Sequence, residues 1–224
     1  MRTVVINLPH RTDRRREMER QLARIGWSAE IFSAIRPSDA GNFSSIGARG
    51  CFLSHLAVLK QARDDRVDRL VVLEDDVTFV HDFQPLWSAA IAELAKRPWS
   101  FFYAGHDNRE LPRGFSRVDP VTCMRCSHFT LINGAALAIL VGGLETILSR
   151  SPGHPDGGPM HLDGAYSTLR AQNPHLATYA YSPALGYQRS SRSDIADGRW
   201  FDRTFVLAPL LTQVRRLKNA IVRS

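Results

Sequence analysis

The chain has 224 residues, of which 44% are hydrophobic and 23% are charged, and its formal net charge is +7. This length and composition predict a globular protein with a sizeable core, and they exclude a mostly disordered or fibrous chain. A basic surplus suits nucleic acid, an anionic membrane surface or a phosphorylated substrate, so the position of the charge has to decide among these partners.

Three cysteines, at positions 51, 123 and 126, give an odd number, which indicates a reducing compartment rather than a disulfide framework. Cys123 and Cys126 have the CxxC spacing, but a structural zinc site needs four ligands and the sequence has no second cysteine pair. The apolar run at the N-terminus is too short for a signal peptide. The sequence contains no run of 18 apolar residues, so we expect no membrane-spanning helix. We therefore expect a cytosolic protein.

Short β-branched segments alternate with amphipathic segments along most of the chain. We predict strands over residues 3–6, 29–35, 69–73, 101–104, 127–132 and 177–181. Helices are predicted over a segment that stops at Gly26 and over residues 51–63, 83–96, 134–148 and 163–172. Residues 105–122 are expected to form a loop, with a hairpin as an option, and residues 182–202 are expected to form a polar loop. The alternation predicts an α/β fold with a mixed, mostly parallel sheet flanked by helices.

The end of the chain is basic and apolar at the same time. Lys and Arg occur at five positions from 203 onwards, no acid follows Asp202, and large apolar residues lie between them. We therefore predict two segments, a domain over residues 1–202 and a basic amphipathic helix over residues 203–224. Two interpretations of this helix stay open: it lies on a membrane surface, or it packs on the core.

Glu74, Asp75 and Asp76 directly follow the apolar strand predicted over residues 69–73. In α/β sheets, ligands bind beyond the carboxyl ends of the strands. Adjacent carboxylates repel one another unless a cation or hydrogen-bond donors offset their charge. In an extended segment Glu74 and Asp76 point to the same side, where their oxygens suit Mg²⁺ or Mn²⁺ and, with the metal, a nucleotide phosphate. The alternative interpretation is an acidic loop that caps the following helix.

Three further segments carry candidate binding or catalytic residues. Asn7 and Arg11 lie between the first strand and the first helix, and Arg11 either binds a phosphate at the helix N-terminus or lies on a solvated helix face. His55 follows a glycine-containing segment and is either a ligand contact or a structural histidine. Asp163, at the start of a short helix, is an N-cap, a general base or a third metal ligand.

Four ordered blocks of the sequence resemble glycosyltransferase family 25, which contains bacterial lipopolysaccharide glycosyltransferases related to the collagen galactosyltransferases. The blocks are VINL at 5–8 with the basic residues that follow, GCFLSHL at 50–56, LEDDV at 73–77, and a looser block of NGAA at 133–136, Asp163 and residues 183–195. One departure is Ala48-Arg49, where the family often has Glu-Ile, so an acidic role at position 48 is absent here.

The resemblance implies a GT-A nucleotide-sugar fold, a UDP-sugar donor, often UDP-galactose, and a saccharide acceptor such as lipooligosaccharide. It also implies that the acidic segment takes the part of a DXD motif. On this basis we hypothesise a metal-dependent hexosyltransferase that uses Mn²⁺ or Mg²⁺ to stabilise the diphosphate leaving group. The predicted roles are metal binding by Asp76 and Glu74, donor binding by Asn7, Arg11, His55, Glu74 and Asp75, and catalysis by Asp76 and by Asp163 as the base.

The resemblance implies that the acceptor is a saccharide or lipid-linked saccharide. The composition of the basic tail suits an enzyme on the inner face of the cytoplasmic membrane, where a lipid-linked acceptor would lie. Two other functions stay open. An acidic strand end with Mg²⁺ also suits a phosphotransfer or phosphatase enzyme. The charge of +7 suits a nucleic-acid-binding protein less well, because much of it lies in two separated segments without a nucleic-acid motif; we expect no nucleic-acid partner.

Overall fold

Nine strands and five α-helices are formed by residues 1–189, the part of the chain that the computed structural model describes. The strands are β1 (Arg2–Asn7), β2 (Glu30–Ser33), β3 (Arg69–Glu74), β4 (Val77–Phe79), β5 (Phe101–Gly105), β6 (Gly114–Val118), β7 (Phe129–Asn133), β8 (Thr178–Ser182) and β9 (Gly186–Gln188). The helices are α1 (Thr12–Arg24), α2 (Ile46–Asp64), α3 (Phe83–Ala95), α4 (Leu137–Ser149) and α5 (Leu162–Gln172). The tail predicted over residues 203–224 lies outside the described residues.

Seven of the strands form one mixed sheet in the order β2-β1-β3-β7-β5-β8-β6. β1 is parallel to β2 and β3, and β5 is parallel to β8. β7 is antiparallel to β3 and β5, and β6 is antiparallel to β8. The predicted α/β fold with a mixed sheet flanked by helices is confirmed. Five of the seven strands run in the same direction, and β6 and β7 run against their neighbours, because they are entered through loops instead of crossover helices.

Two predicted loops contain strands. β6 occupies part of the predicted loop 105–122, and it pairs with β8, far along the chain, instead of forming a local hairpin. β9 lies in the polar loop predicted after residue 182 and pairs antiparallel with β4. This second pairing brings the end of the described chain back beside the acidic segment.

The core lies on both faces of the large sheet, because successive strand side chains point to opposite faces. One face packs against α2, α4 and α5, and it buries Val4 together with Phe52. The other face packs against α1 and α3, and it buries Val5 together with Trp87. Among the helices within residues 1–189, none combines the length and the apolar composition needed to cross a membrane.

Helix α2 begins five residues before its predicted start at Cys51. Ser45 is its N-cap, and the Ser45 Oγ accepts a hydrogen bond from the N–H of residue 48 at 3.1 Å. Gly50 is therefore helical, and it allows close packing: a Cβ at this position would lie 2.7 Å from the carbonyl oxygen of Ile35. The segment after β2 consequently lies directly against α2.

Candidate functional site

A cleft of about 530 Å³ lies at the edge of the sheet where β1, β2 and β3 end. These strands are parallel neighbours, so their carboxyl ends meet at one edge. The first turns of α2 and the segment between β2 and α2 also line the cleft. The three acidic residues that follow the apolar run of β3 all line it, so the acidic segment lies in a cleft at the strand ends.

Asp75 joins the ends of β1 and β3 and is buried, with 6% of its surface exposed. Its Oδ2 accepts a hydrogen bond from Asn7 Nδ2 at 2.7 Å, and its Oδ1 accepts one from Arg14 Nη1 at 2.9 Å. Asn7 is buried too and also donates to the backbone carbonyl of Arg11. The donor contacts of Asn7 and Asp75 stay predictions; the contacts in the structure favour a positioning role, because both oxygens of Asp75 already accept hydrogen bonds from the protein.

Asp76 differs from Asp75 in having a buried carboxylate oxygen, Oδ1, without a hydrogen-bond partner in the described part of the chain. Its other oxygen, Oδ2, lies 3.3 Å from Arg14 Nη1. Burial and the charge of Glu74 raise the pKa of Asp76 to about 7, against the opposite effect of Arg14. A buried carboxylate oxygen without a partner carries a free-energy cost that a bound cation would offset.

The two carboxylate oxygens of Glu74 face two different side chains. Its Oε1 lies 3.7 Å from His55 Nε2, and its Oε2 accepts a hydrogen bond from Gln188 Nε2 at 3.0 Å. Burial alone would raise the pKa of Glu74, but the interactions with His55 and Gln188 and the charge of His128 outweigh burial, and the pKa is lowered. The ligand atoms of Cys51, His55 and Glu74 all lie within 4.8 Å of one another, so these three side chains converge.

The residues at the end of β3 fit a hard divalent cation. Mg²⁺ and Mn²⁺ take oxygen ligands, and Asp76 Oδ1 is a buried carboxylate oxygen that no donor of the described chain satisfies. Asp76 would hold the ion. Glu74 lines the same cleft, and its sharing of that ion with Asp76 stays a prediction.

The basic residues of the cleft differ from the one that the sequence singled out. Arg11 immediately precedes α1, its Nη2 pairs with Asp13 at 2.9 Å, and it does not line the cleft. Arg14, one helical turn further on, lines the cleft and contacts the acidic segment. Arg36, between β2 and α2, also lines it and forms no ion pair with any other residue among 1–189. The helical spacing after Arg11 could have indicated Arg14, whereas no sequence signal marked Arg36.

Asp163 lies in the first turn of α5 but is not its N-cap residue. Its Oδ2 accepts a hydrogen bond from the N–H of Cys126 at 3.1 Å, and its Oδ1 accepts one from the N–H of the next residue. Its charge contributes, after burial and Glu74, to the raised pKa of the Cys51 thiol. Asp163 does not line the cleft. Its role as the base stays a prediction.

The first half of the chain matches a known protein family. The model of "Glycosyltransferase family 25 (LPS biosynthesis protein)" matches residues 1–111. The chain belongs to glycosyltransferase family 25. The resemblance predicted from the four sequence blocks is thereby confirmed, and the matched segment includes His55, Arg36 and the acidic residues after β3.

Curated relatives of this family 25 chain are procollagen galactosyltransferases. Procollagen galactosyltransferase 2 of Mus musculus is 28% identical over 131 residues, which cover 56% of this chain and 20% of that protein. Procollagen galactosyltransferase 1-B of Xenopus laevis is 26% identical over 171 residues, which cover 66% of this chain and 28% of that protein. The chain thus spans well under half the length of these relatives.

The chain also aligns with a solved structure. The crystal structure of a glycosyltransferase involved in the glycosylation of the major capsid of PBCV-1 aligns with 85% of this chain and 93% of that chain, at 11% identity and a TM-score of 0.47.

Proposed function

We propose that this family 25 chain transfers a hexose, with galactose as the first candidate, from a UDP-sugar to a hydroxyl group of a saccharide acceptor in lipopolysaccharide or related envelope glycan synthesis. The description of the family supports an acceptor in lipopolysaccharide synthesis, and the names of the curated relatives support galactose as the sugar. The observation that carries the proposal is the buried Asp76 Oδ1, which has no partner within residues 1–189 and lies in a cleft at the ends of three parallel strands.

The acidic segment is positioned by the protein itself. Asn7 and Arg14 hold the carboxylate of Asp75, and Arg189 donates to the backbone carbonyl of Asp75 at 2.8 Å. These contacts fix the backbone that carries Asp76. A charged group held in place before the substrate binds needs little reorganisation during the reaction, so the arrangement suits a catalytic centre.

The phosphates of the donor need positive charge around them. A bound Mn²⁺ or Mg²⁺ would neutralise charge on the leaving diphosphate, and Asp76, with Glu74 as the second carboxylate, would hold that ion. Arg36 and His10 line the same cleft, and we assign them the role of hydrogen-bond donors to the phosphate oxygens. Arg14 has a different role, because its guanidinium already contacts the acidic segment.

The acceptor hydroxyl needs a base if the transfer inverts the anomeric configuration, and such a base contributes about 10²–10⁴-fold in rate. Asp163 is the proposed base. Each of its carboxylate oxygens accepts one backbone hydrogen bond, which leaves lone pairs that can take the proton of the acceptor.

Release of UDP from a panel of UDP-hexoses, with Mn²⁺ and a mixture of saccharide acceptors, tests the proposal. We expect acceptor-dependent release by the native chain and none above background by Asp76→Asn. Asp68→Asn is the matched control, because Asp68 is an exposed carboxylate at the opposite end of β3. Hydrolysis of a simple phosphate monoester that depends on Asp76, without turnover of any UDP-sugar, would contradict the proposal and support phosphatase chemistry.

We also propose that residues 1–202 form the catalytic domain and that the basic segment 203–224 binds the anionic inner face of the cytoplasmic membrane, near a lipid-linked acceptor. The interleaved basic and apolar residues of this segment support the proposal. The full chain should co-sediment with anionic vesicles and not with neutral ones. A chain that ends at Asp202 and co-sediments equally well would refute the membrane role of the tail.

A further inference from the structure

Cys51, His55 and Glu74 form a group with the ligand chemistry of a metal site. Cys51 and His55 are four residues apart on α2 and therefore share one face of the helix. Glu74 is the last residue of β3. The Cys51 sulfur, a ring nitrogen of His55 and a carboxylate oxygen of Glu74 lie within 4.8 Å of one another.

The side chain of His55 is buried without a hydrogen-bond partner in the described chain. It is 1% exposed, and neither of its ring nitrogens has a hydrogen-bond partner in the described chain. The Nε2 atom lies 3.7 Å from Glu74 Oε1, which is too long for a hydrogen bond. A buried polar side chain without a partner is costly, and a cation between the two atoms would satisfy both.

The distances suit a tetrahedral ion. Zinc binds histidine nitrogen and carboxylate oxygen at about 2.0–2.2 Å, so two tetrahedral ligands are roughly 3.4 Å apart. The His55 Nε2 to Glu74 Oε1 distance of 3.7 Å is close to this value. The other oxygen of Glu74 accepts a hydrogen bond from Gln188, the kind of outer contact that orients a ligating carboxylate.

The charges around Cys51 also favour a cation. Glu74 and Asp76 line the cleft together with Cys51. Binding of a divalent ion would form the sulfur–metal bond and release the thiol proton to solvent. The negative charges that oppose a free thiolate attract a divalent cation.

We propose that Cys51, His55 and Glu74 form a Zn²⁺ site with three protein ligands and a fourth position open to the cleft. Thiolate and imidazole ligands favour zinc over Mn²⁺ and Mg²⁺, which prefer oxygen. All three side chains line the cleft, so a water molecule or an oxygen of a bound ligand can occupy the fourth position. The site shares Glu74 with the ion proposed at Asp76, whereas Cys51 and His55 belong to the zinc site alone. Zinc binding does not depend on the proposed sugar transfer.

Cobalt and zinc titrations of the metal-free, full-length chain test the site, with Co²⁺ as a coloured substitute for zinc. We expect one equivalent of Co²⁺ to give the charge-transfer band of a thiolate–cobalt bond and the visible bands of a four-coordinate ion, and Zn²⁺ to displace it. Cys51→Ala should lose the charge-transfer band and bind Zn²⁺ at least about 100-fold more weakly, because loss of an outer contact alone costs roughly 10–100-fold. Gln188→Ala should weaken binding about 10-fold.

Cys123→Ser is the matched control, because Cys123 is an exposed free thiol; it should keep both the band and the affinity. Thermal melts of the metal-free variants check that each is folded. Asp76→Asn should keep zinc binding, and Cys51→Ala should keep the stabilisation by UDP with Mn²⁺, so the two proposals can fail separately. A cobalt spectrum without a thiolate band in the native chain, or a band that persists in Cys51→Ala, would overturn the zinc site.

Discussion

Two clefts within residues 1–189 differ in their lining and in their volume. The cleft at the ends of β1, β2 and β3 has a volume of about 530 Å³, and a second cleft beside β4 and β9 has a volume of about 670 Å³. Arg24, which lines the second cleft, donates to the carbonyl oxygens of Phe79 and Val80. The guanidinium of Arg24 therefore contributes to the stability of the fold.

The two clefts also differ in the buried groups that lack a hydrogen-bond partner within residues 1–189. In the first cleft these groups include the Oδ1 of Asp76 and both ring nitrogens of His55; in the second they include the neutral hydroxyl of Tyr187. Burial of a charged group costs far more than burial of a hydroxyl. The proposed binding site is therefore distinguished by its unpartnered ionisable groups and not by its volume.

The largest expected effect is the loss of turnover in Asp76→Asn. The change removes the carboxylate charge that would hold the cation, so kcat/KM for the UDP-sugar should fall by about 10³-fold, which is about 4 kcal/mol. Asp82→Asn changes an exposed carboxylate of the second cleft and should leave kcat/KM unchanged. Equal losses in both variants would remove the distinction between the clefts.

Asp163→Asn should lower kcat by about 10²-fold while the affinity for UDP stays the same, because a base acts on the acceptor and not on the nucleotide. Steady-state kinetics with the acceptor varied, together with UDP binding, measure the two quantities. Near-normal turnover would exclude Asp163 as the base and leave it a structural role, in which it accepts a hydrogen bond from the Cys126 N–H.

The free energy of unfolding of the metal-free protein should depend on the ionisation of Asp76. The pKa of Asp76 is raised from 3.8 to about 7 in the folded protein, so the folded state binds more protons than the unfolded state between these values. The free energy of unfolding therefore falls as the pH rises from about 4 to 7. At pH 8, Asp76→Asn should melt about 4–8 °C above the native chain, or roughly 2 kcal/mol; at pH 4 the two should agree. An equal or lower melting temperature for the variant at pH 8 would contradict the raised pKa.

Arg36→Ala should raise the KM for the donor about 10-fold with little change in kcat, because one charge-assisted hydrogen bond to a phosphate contributes about 1.5 kcal/mol. Arg36→Lys, which keeps the charge, should give an intermediate KM. Arg113→Ala is the control, because Arg113 is an exposed arginine of the second cleft. A KM for Arg36→Ala that equals the native value would exclude the phosphate contact.

Local sequence patterns were sufficient to predict most helices and strands and the position of the acidic segment. The apolar run of β3 followed at once by Glu74 is such a pattern, because it needs no information from distant residues. The start of α2 was missed because it lies in the glycine-containing segment before Cys51, in which Gly50 allows close packing against Ile35.

The remaining features depend on contacts between distant parts of the chain. Gln188 reaches Glu74 only because β9 pairs with β4, and no local pattern announces this pairing. The direction of β7 depends on its place between β3 and β5. Arg36 is an isolated arginine in a loop, and only the folded chain brings it to the cleft.

A thermal-shift titration with UDP, with and without Mn²⁺, tests most directly whether the cleft with Asp76 is the nucleotide site. We predict that UDP stabilises the native chain only with Mn²⁺, by about 2.7 kcal/mol at a hundredfold excess over its Kd. The stabilisation should disappear in Asp76→Asn and persist in Asp82→Asn. An undiminished shift in Asp76→Asn, or no shift of the native chain at millimolar UDP with Mn²⁺, would contradict the assignment of the site.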